Sequence, residues 1–128
     1  DLALVYLEAA DLPVANLNQQ SQPLPGDPVL VVGNPLGLKN IAIGGEVDRY
    51  LKLKDQPEKV FSIKAPIYPG NSGSPVYDQN GEVVGVVFAS LRRETEDPEE
   101  IRGLAIPVQE ILNWQQPSEI FHMEHDSA

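Results

Sequence analysis

Short apolar runs separated by turn residues are the feature that most limits how this chain can fold. The runs cover residues 28–32, 41–51, 60–63, 76–77, 82–90 and 101–106. Short runs rich in Val and Ile and bounded by Gly, Pro or Asn are typical of β-strands. Residues 107–114 then begin with Pro107 and place Val108, Ile111 and Leu112 on one face, which predicts a helix. We therefore expect an all-β fold, an antiparallel six-stranded barrel with a short C-terminal helix.

Two dipeptides that contain glycine refine this prediction. Gly44 and Gly45 interrupt the second run, which predicts a β-bulge or a close approach of backbones. Asn80 and Gly81 lie between the fourth and fifth runs and supply the positive φ angles of a tight hairpin. The charged stretch 91–100 is interpreted as a solvated loop.

The composition of the chain argues against several classes of function. Nine Lys and Arg residues against nineteen Asp and Glu residues give a formal net charge of -10. Nucleic-acid binding is not expected, because its affinity depends largely on cationic side chains that neutralise phosphates. The chain has no Cys, which excludes disulfides and thiolate metal sites. No apolar run is long enough to predict a membrane-spanning segment, and no feature predicts a cofactor.

The stretch 69–75, Pro-Gly-Asn-Ser-Gly-Ser-Pro, carries the strongest chemical signal. Gly70 and Gly73 permit backbone angles that let successive N–H groups turn toward one point and hold an oxyanion. Ser72 would then present a nucleophilic hydroxyl beside the N–H groups of residues 70–72, Asn71 included. Such a sequence by itself equally fits an ordinary turn.

The surrounding sequence distinguishes these interpretations. Residues 65–86 resemble the nucleophile segment and following hairpin of chymotrypsin-like serine proteases, most closely the bacterial HtrA/Deg family, with Ser74 where most relatives have glycine. The sequence of this segment is also similar to that of glutamyl endopeptidases, which share the fold. Residues 26–37 and 103–108 resemble further parts of HtrA sequences. The resemblance implies a trypsin-like protease fold with Ser72 as nucleophile and Asp1 as the acid of the catalytic triad.

The same resemblance implies a domain organisation. Residues 1–12 are expected to be the last strand of a first barrel that is missing here, and residues 13–25 a linker. Residues 26–114 are expected to form the second barrel, followed by a polar tail at 115–128. The chain is thus expected to be the C-terminal portion of a two-barrel protease.

The catalytic histidine is the missing component. A serine hydroxyl needs an imidazole to take its proton, and in this family that histidine precedes the acid. The only histidines are His122 and His125, in the polar tail. We interpret them as solvated side chains, not as a general base or a metal site, and expect the isolated chain to be inactive.

Five apolar residues are predicted to line the primary substrate pocket. Their positions relative to Ser72 identify them as Pro66, Ile67, Val87, Phe88 and Ala89. No acid lies at the pocket base, which disfavours basic substrate side chains. Glutamate-selective relatives have a histidine where this chain has Val87 and Phe88, so small or aliphatic side chains are expected.

Three functions remain open at this stage. A serine endopeptidase would act on polypeptide substrates. A protease-like barrel without catalysis would bind extended peptides by adding them as a strand. A purely structural barrel would leave the 65–86 segment unexplained.

The apolar segment Leu2–Leu7 would need to be buried against another surface, which predicts self-association through this strand.

Overall fold

The computed structural model describes residues 14–20, 22–33, 41–54, 58–67, 70–92 and 101–114. The six predicted strands and the helix are confirmed. They are β1 (Pro28–Gly33), β2 (Ile41–Lys52), β3 (Lys59–Lys64), β4 (Pro75–Tyr77), β5 (Val83–Arg92), β6 (Ile101–Pro107) and α1 (Val108–Trp114). Residues 1–12, residues 93–100 of the predicted loop and the 115–128 tail lie outside the described residues, and so do the predictions made for them. Leu91 and Arg92, predicted to begin that loop, instead extend β5, because they pair with Arg102 and Ile101 of β6.

The strands form a closed antiparallel barrel in the order β1-β2-β3-β6-β5-β4. Every neighbouring pair is antiparallel, so β1, β3 and β5 all finish at the end of the barrel where β2, β4 and β6 begin. We call this the upper end. The loop of residues 70–74 immediately precedes β4 and therefore lies at the upper end, whereas α1 follows β6 at the opposite end.

Alternating side chains fill the barrel. Val29 and Val31 of β1 are buried, whereas Leu30 between them is 40% exposed, which is the period-two pattern of a strand with one face inward. Phe61 is fully buried at the centre, and its ring centroid lies 5.6 Å from that of Tyr50. Gly85 leaves room for this ring, because a Cβ there would lie 2.7 Å from Phe61 Cζ.

One of the two glycines in β2, Gly45, behaves as the sequence indicated. A Cβ on Gly45 would lie 2.6 Å from the carbonyl oxygen of Lys64, so the predicted close backbone approach is confirmed. The bulge in β2 lies further along, at Asp48, where the register with β3 shifts. The Asp48 carboxylate accepts hydrogen bonds from Ser62 Oγ and Arg102 Nε, each at 3.2 Å. The extra residue thus places an acid between β3 and β6.

The described part of the predicted linker lies against the barrel. Leu17 forms a parallel bridge with Val83, where the N–H of Asn18 donates to the Val83 carbonyl at 2.9 Å. Further along, the Tyr50 hydroxyl donates to the carbonyl of Pro23 at 2.7 Å. The segment is therefore attached at several places along its length, and its assignment as a linker between barrels stays a prediction.

The raised pKa of Tyr50 predicts a loss of stability at alkaline pH. Burial, with a smaller contribution from Asp27, raises the pKa of Tyr50 from 10.0 to about 12. Because the folded-state pKa is raised, the stabilisation is fully present below pH 10 and is lost as pH rises through about 12. Urea unfolding between pH 9 and 12 should show this decline in the wild type. Tyr50→Phe should lose about 1 kcal/mol at neutral pH, from the missing hydrogen bond, and should lack this contribution to the alkaline decline. Equal pH profiles for the two proteins would contradict the assignment.

Candidate active site

The loop of residues 70–74 has a backbone that requires its glycines. Gly70 has a φ of 103° and Gly73 a φ of 88°, both in the region that side chains disfavour. The N–H of Gly73 donates to the carbonyl of Val87 at 2.7 Å, and the N–H of Val87 donates to the carbonyl of Ser74 at 3.0 Å. The N–H of Ser74 also donates to the carbonyl of Asn71 at 3.0 Å. The loop is thereby a closed turn fastened to β5.

The two serines of this loop have opposite environments. Ser72 is exposed, and its Oγ donates to the carbonyl of Phe88 at 3.3 Å. Ser74 is only 7% exposed, and its side chain faces the barrel. The hydroxyl that an incoming molecule can reach is therefore that of Ser72. Its hydrogen bond to Phe88 is long enough for the proton to be given up to a stronger acceptor.

Asn71 is the most unusual residue of the loop. Its side chain is fully buried, and within the described ranges neither Oδ1 nor Nδ2 has a hydrogen-bond partner. Buried polar groups are nearly always paired, and each unpaired one costs about 1–3 kcal/mol. We therefore expect this amide, immediately before Ser72, to lower the stability of the fold.

Replacing this amide should stabilise the barrel. Asn71→Leu keeps the number of side-chain heavy atoms and the branch point but removes both unpaired polar atoms, so we expect the unfolding free energy to rise by about 1–3 kcal/mol. Asn71→Asp should lower it, because it buries a charge without a partner. Urea unfolding at neutral pH measures both. Because Leu is larger than Asn, the smaller Asn71→Val serves as the control for overpacking. A loss of stability in both Asn71→Leu and Asn71→Val would show that the amide is paired in solution.

The residues predicted to line the pocket differ in exposure. Ile67 and Val87 are 2% and 1% exposed and belong to the hydrophobic core. Pro66 is exposed, and Phe88 and Ala89 are partly exposed. All five lie on β5 or on the segment after β3, and their role as a substrate pocket stays a prediction. The oxyanion hole of residues 70–72 stays one too, and Asp1 lies outside the described residues.

Gly33 is a site neighbour that the sequence analysis missed. It is the last residue of β1, and a Cβ there would lie 3.0 Å from Asn71 Oδ1 and 3.2 Å from Ser74 Cβ. In the sequence, Gly33 is read only as part of a turn after a strand. The contact joins segments far apart in the chain, and no local pattern indicates it.

Comparison with known proteins identifies the family. The family model described as "Trypsin-like peptidase domain" matches residues 1–86. The chain belongs to the trypsin-like peptidase family. Within this family its relatives are HtrA-type proteases, which confirms the resemblance seen in the sequence.

Two curated relatives of this trypsin-like peptidase illustrate the match. The putative serine protease HhoB of Synechocystis is 35% identical over 119 residues, which cover 88% of this chain and 27% of that protein. The serine protease HtrA-like of Staphylococcus aureus is 32% identical over 128 residues, covering 87% of this chain and 16% of that protein. The chain thus spans about a quarter or less of these relatives' length.

Solved structures show the same fold. A serine endoprotease from Yersinia pestis matches with a TM-score of 0.69 at 31% identity, over 84% of this chain and 36% of that chain. An HtrA-type protease with a decapeptide matches with a TM-score of 0.74 at 27% identity, over 91% of this chain and 35% of that one. In the part of this chain that the structure describes, no helix is both long and apolar enough to cross a membrane.

Proposed function

We propose that this chain supplies the nucleophile, Ser72, of a serine endopeptidase that works through an acyl-enzyme. The observation that carries the proposal is the exposed Ser72 hydroxyl, held on a turn with two positive-φ glycines that is fastened to β5. The family and the HtrA-type relatives support it. Membership of a protease family also implies polypeptide substrates.

The reaction requires a base that the barrel does not contain. A histidine takes the Ser72 proton as the oxygen attacks the substrate carbonyl, and Asp1 orients that histidine. The N–H groups of residues 70–72 stabilise the resulting oxyanion. Its collapse expels the amine, which receives the proton from the histidine, and water then releases the acyl group. Because the sequence holds only His122 and His125, both in the polar tail, we assign the base to a segment outside these 128 residues.

The edge of β5 gives the substrate a place to bind. β4 pairs with β5 only as far as Val86, whereas β5 continues to Arg92. Among the described residues, no strand pairs with Ala89–Leu91 on the side away from β6. An extended peptide that adds to this edge would run past Phe88, whose carbonyl accepts the Ser72 hydrogen bond. The apolar candidates for the pocket then favour a small or aliphatic side chain at the cleaved bond.

Labelling with a fluorophosphonate tests this proposal. We expect no labelling of the 128-residue chain, and rapid labelling of a longer protein in which a histidine-bearing segment precedes Asp1. Labelling of the short chain that is lost in His122→Ala or His125→Ala would overturn the assignment of the base. Absence of labelling in the folded longer protein would overturn catalysis itself.

A second candidate function rests on the same edge of β5. A barrel without catalysis would still add an extended peptide to Ala89–Leu91. Peptide binding that persists in a longer protein that no fluorophosphonate labels would favour this alternative.

A further inference from the structure

The end of β1 lies directly beneath the loop that carries Ser72. Asn71 and Ser74, which lie on either side of Ser72 in the loop, both point into the barrel and are 0% and 7% exposed. Ser72 between them faces outward. Two buried side chains on either side of an exposed one fix the direction in which the exposed one points, provided that the surface below them keeps its shape.

Gly33 forms that surface. A Cβ added to it would overlap Ser74 Oγ and would lie 3.2 Å from Ser74 Cβ. Rotating the hydroxyl would therefore remove the overlap but leave the tight contact with Ser74 Cβ. The same Cβ would lie 3.0 Å from Asn71 Oδ1, so any side chain at position 33 would press on the loop on both sides of Ser72.

We infer that Gly33 is a positioning residue for Ser72: by lacking a side chain, it lets Asn71 and Ser74 seat in the upper end of the barrel. Ser74 makes this requirement strict, because its hydroxyl occupies the space that a Cβ on Gly33 would need. The role in catalysis rests on the proposed function, whereas the seating of the loop does not. The two can therefore be tested separately.

The seating is tested by amide hydrogen exchange in the 128-residue chain. Gly33→Ala should speed exchange of the Gly73 amide, which is bonded to the Val87 carbonyl, by about 5- to 150-fold, the range expected for overpacking. Gly33→Ala combined with Ser74→Gly should return this rate most of the way to that of Ser74→Gly alone, because the overlapping atoms are gone. The remaining contact with Asn71 Oδ1 makes the return incomplete.

Gly44→Ala is the matched control. Gly44 lies on β2, paired with Leu30 of β1, and among the described residues no atom comes within 4 Å of a Cβ placed there. It should leave the exchange of the Gly73 amide unchanged. Unaltered exchange in Gly33→Ala, or failure of Ser74→Gly to restore it, would overturn the seating.

The catalytic consequence is tested in the longer, histidine-bearing protein. Fluorophosphonate labelling should slow in Gly33→Ala by up to about 10²-fold, because a loop pressed off its seat displaces the Ser72 hydroxyl from its reactive position, and should recover in the double variant relative to Ser74→Gly. A merely structural role would change the unfolding free energy but not the labelling rate of folded protein. An undiminished rate in Gly33→Ala would overturn the positioning role. If the wild type itself is not labelled, the proposed function fails, and the exchange pattern still decides the seating.

Discussion

Ser72→Ala should lower kcat for peptide hydrolysis by on the order of 10⁶-fold in the longer protein that carries the histidine. The magnitude follows from other serine proteases, in which removal of the nucleophile alone costs about as much as removal of the whole triad. Residual turnover would come from substrate binding and oxyanion stabilisation. Initial-rate measurements with an extended peptide of small, aliphatic residues provide the test.

The fold should be unaffected by this change. Ser72 is exposed, and within the described part of the chain its side chain makes one hydrogen bond, the 3.3 Å contact with the Phe88 carbonyl, so the unfolding free energy should stay within about 0.5 kcal/mol. His122→Ala and His125→Ala should retain full activity. A Ser72→Ala protein that hydrolyses peptide at the wild-type rate would assign the reaction to another nucleophile.

Phe61→Ala should destabilise the barrel by about 3–5 kcal/mol, a large fraction of the 5–15 kcal/mol expected for a domain of this size. Phe61 is fully buried, packs against Tyr50, and fills the space above Gly85. Removing the ring leaves a cavity that the surrounding strands of a closed barrel cannot easily collapse into. Urea unfolding monitored by circular dichroism gives the difference directly.

Leu91→Ala is the comparison for that measurement. Leu91 is an apolar residue of β5, but it is 49% exposed, so its truncation should change the unfolding free energy by about 0.5 kcal/mol or less. Similar losses in the two variants would mean that the barrel interior is not packed around Phe61.

The strands could be predicted because their signals are local. Val29 and Val31 alternate with exposed neighbours, and Gly81 adopts the positive φ, 78°, that the Asn-Gly pair predicted for the hairpin. The order of the strands carries no such signal: β3 pairs with β6 and not with β4, which follows it in the chain. The bulge at Asp48 also depends on distant partners, Ser62 and Arg102.

The same distinction between local signals and contacts of distant segments applies to the candidate site. Ser72 and its two glycines could be recognised because the loop is continuous in sequence and because a loop of this shape needs glycine where φ is positive. The burial of Asn71 and its contact with Gly33 could not, because they depend on where β1 ends in the closed barrel. The burial of Ile67 and Val87 likewise follows from the inward face of the barrel and not from their distance to Ser72 in the sequence.

The most direct test of the central claim is peptide mapping of the fluorophosphonate adduct by mass spectrometry. Two serines lie within the loop, of which Ser72 is exposed and Ser74 is 7% exposed. In the longer, histidine-bearing protein, we predict a single stoichiometric adduct on Ser72 and none on Ser74. An adduct on any other residue, or none on folded protein, would contradict the assignment of Ser72 as the nucleophile.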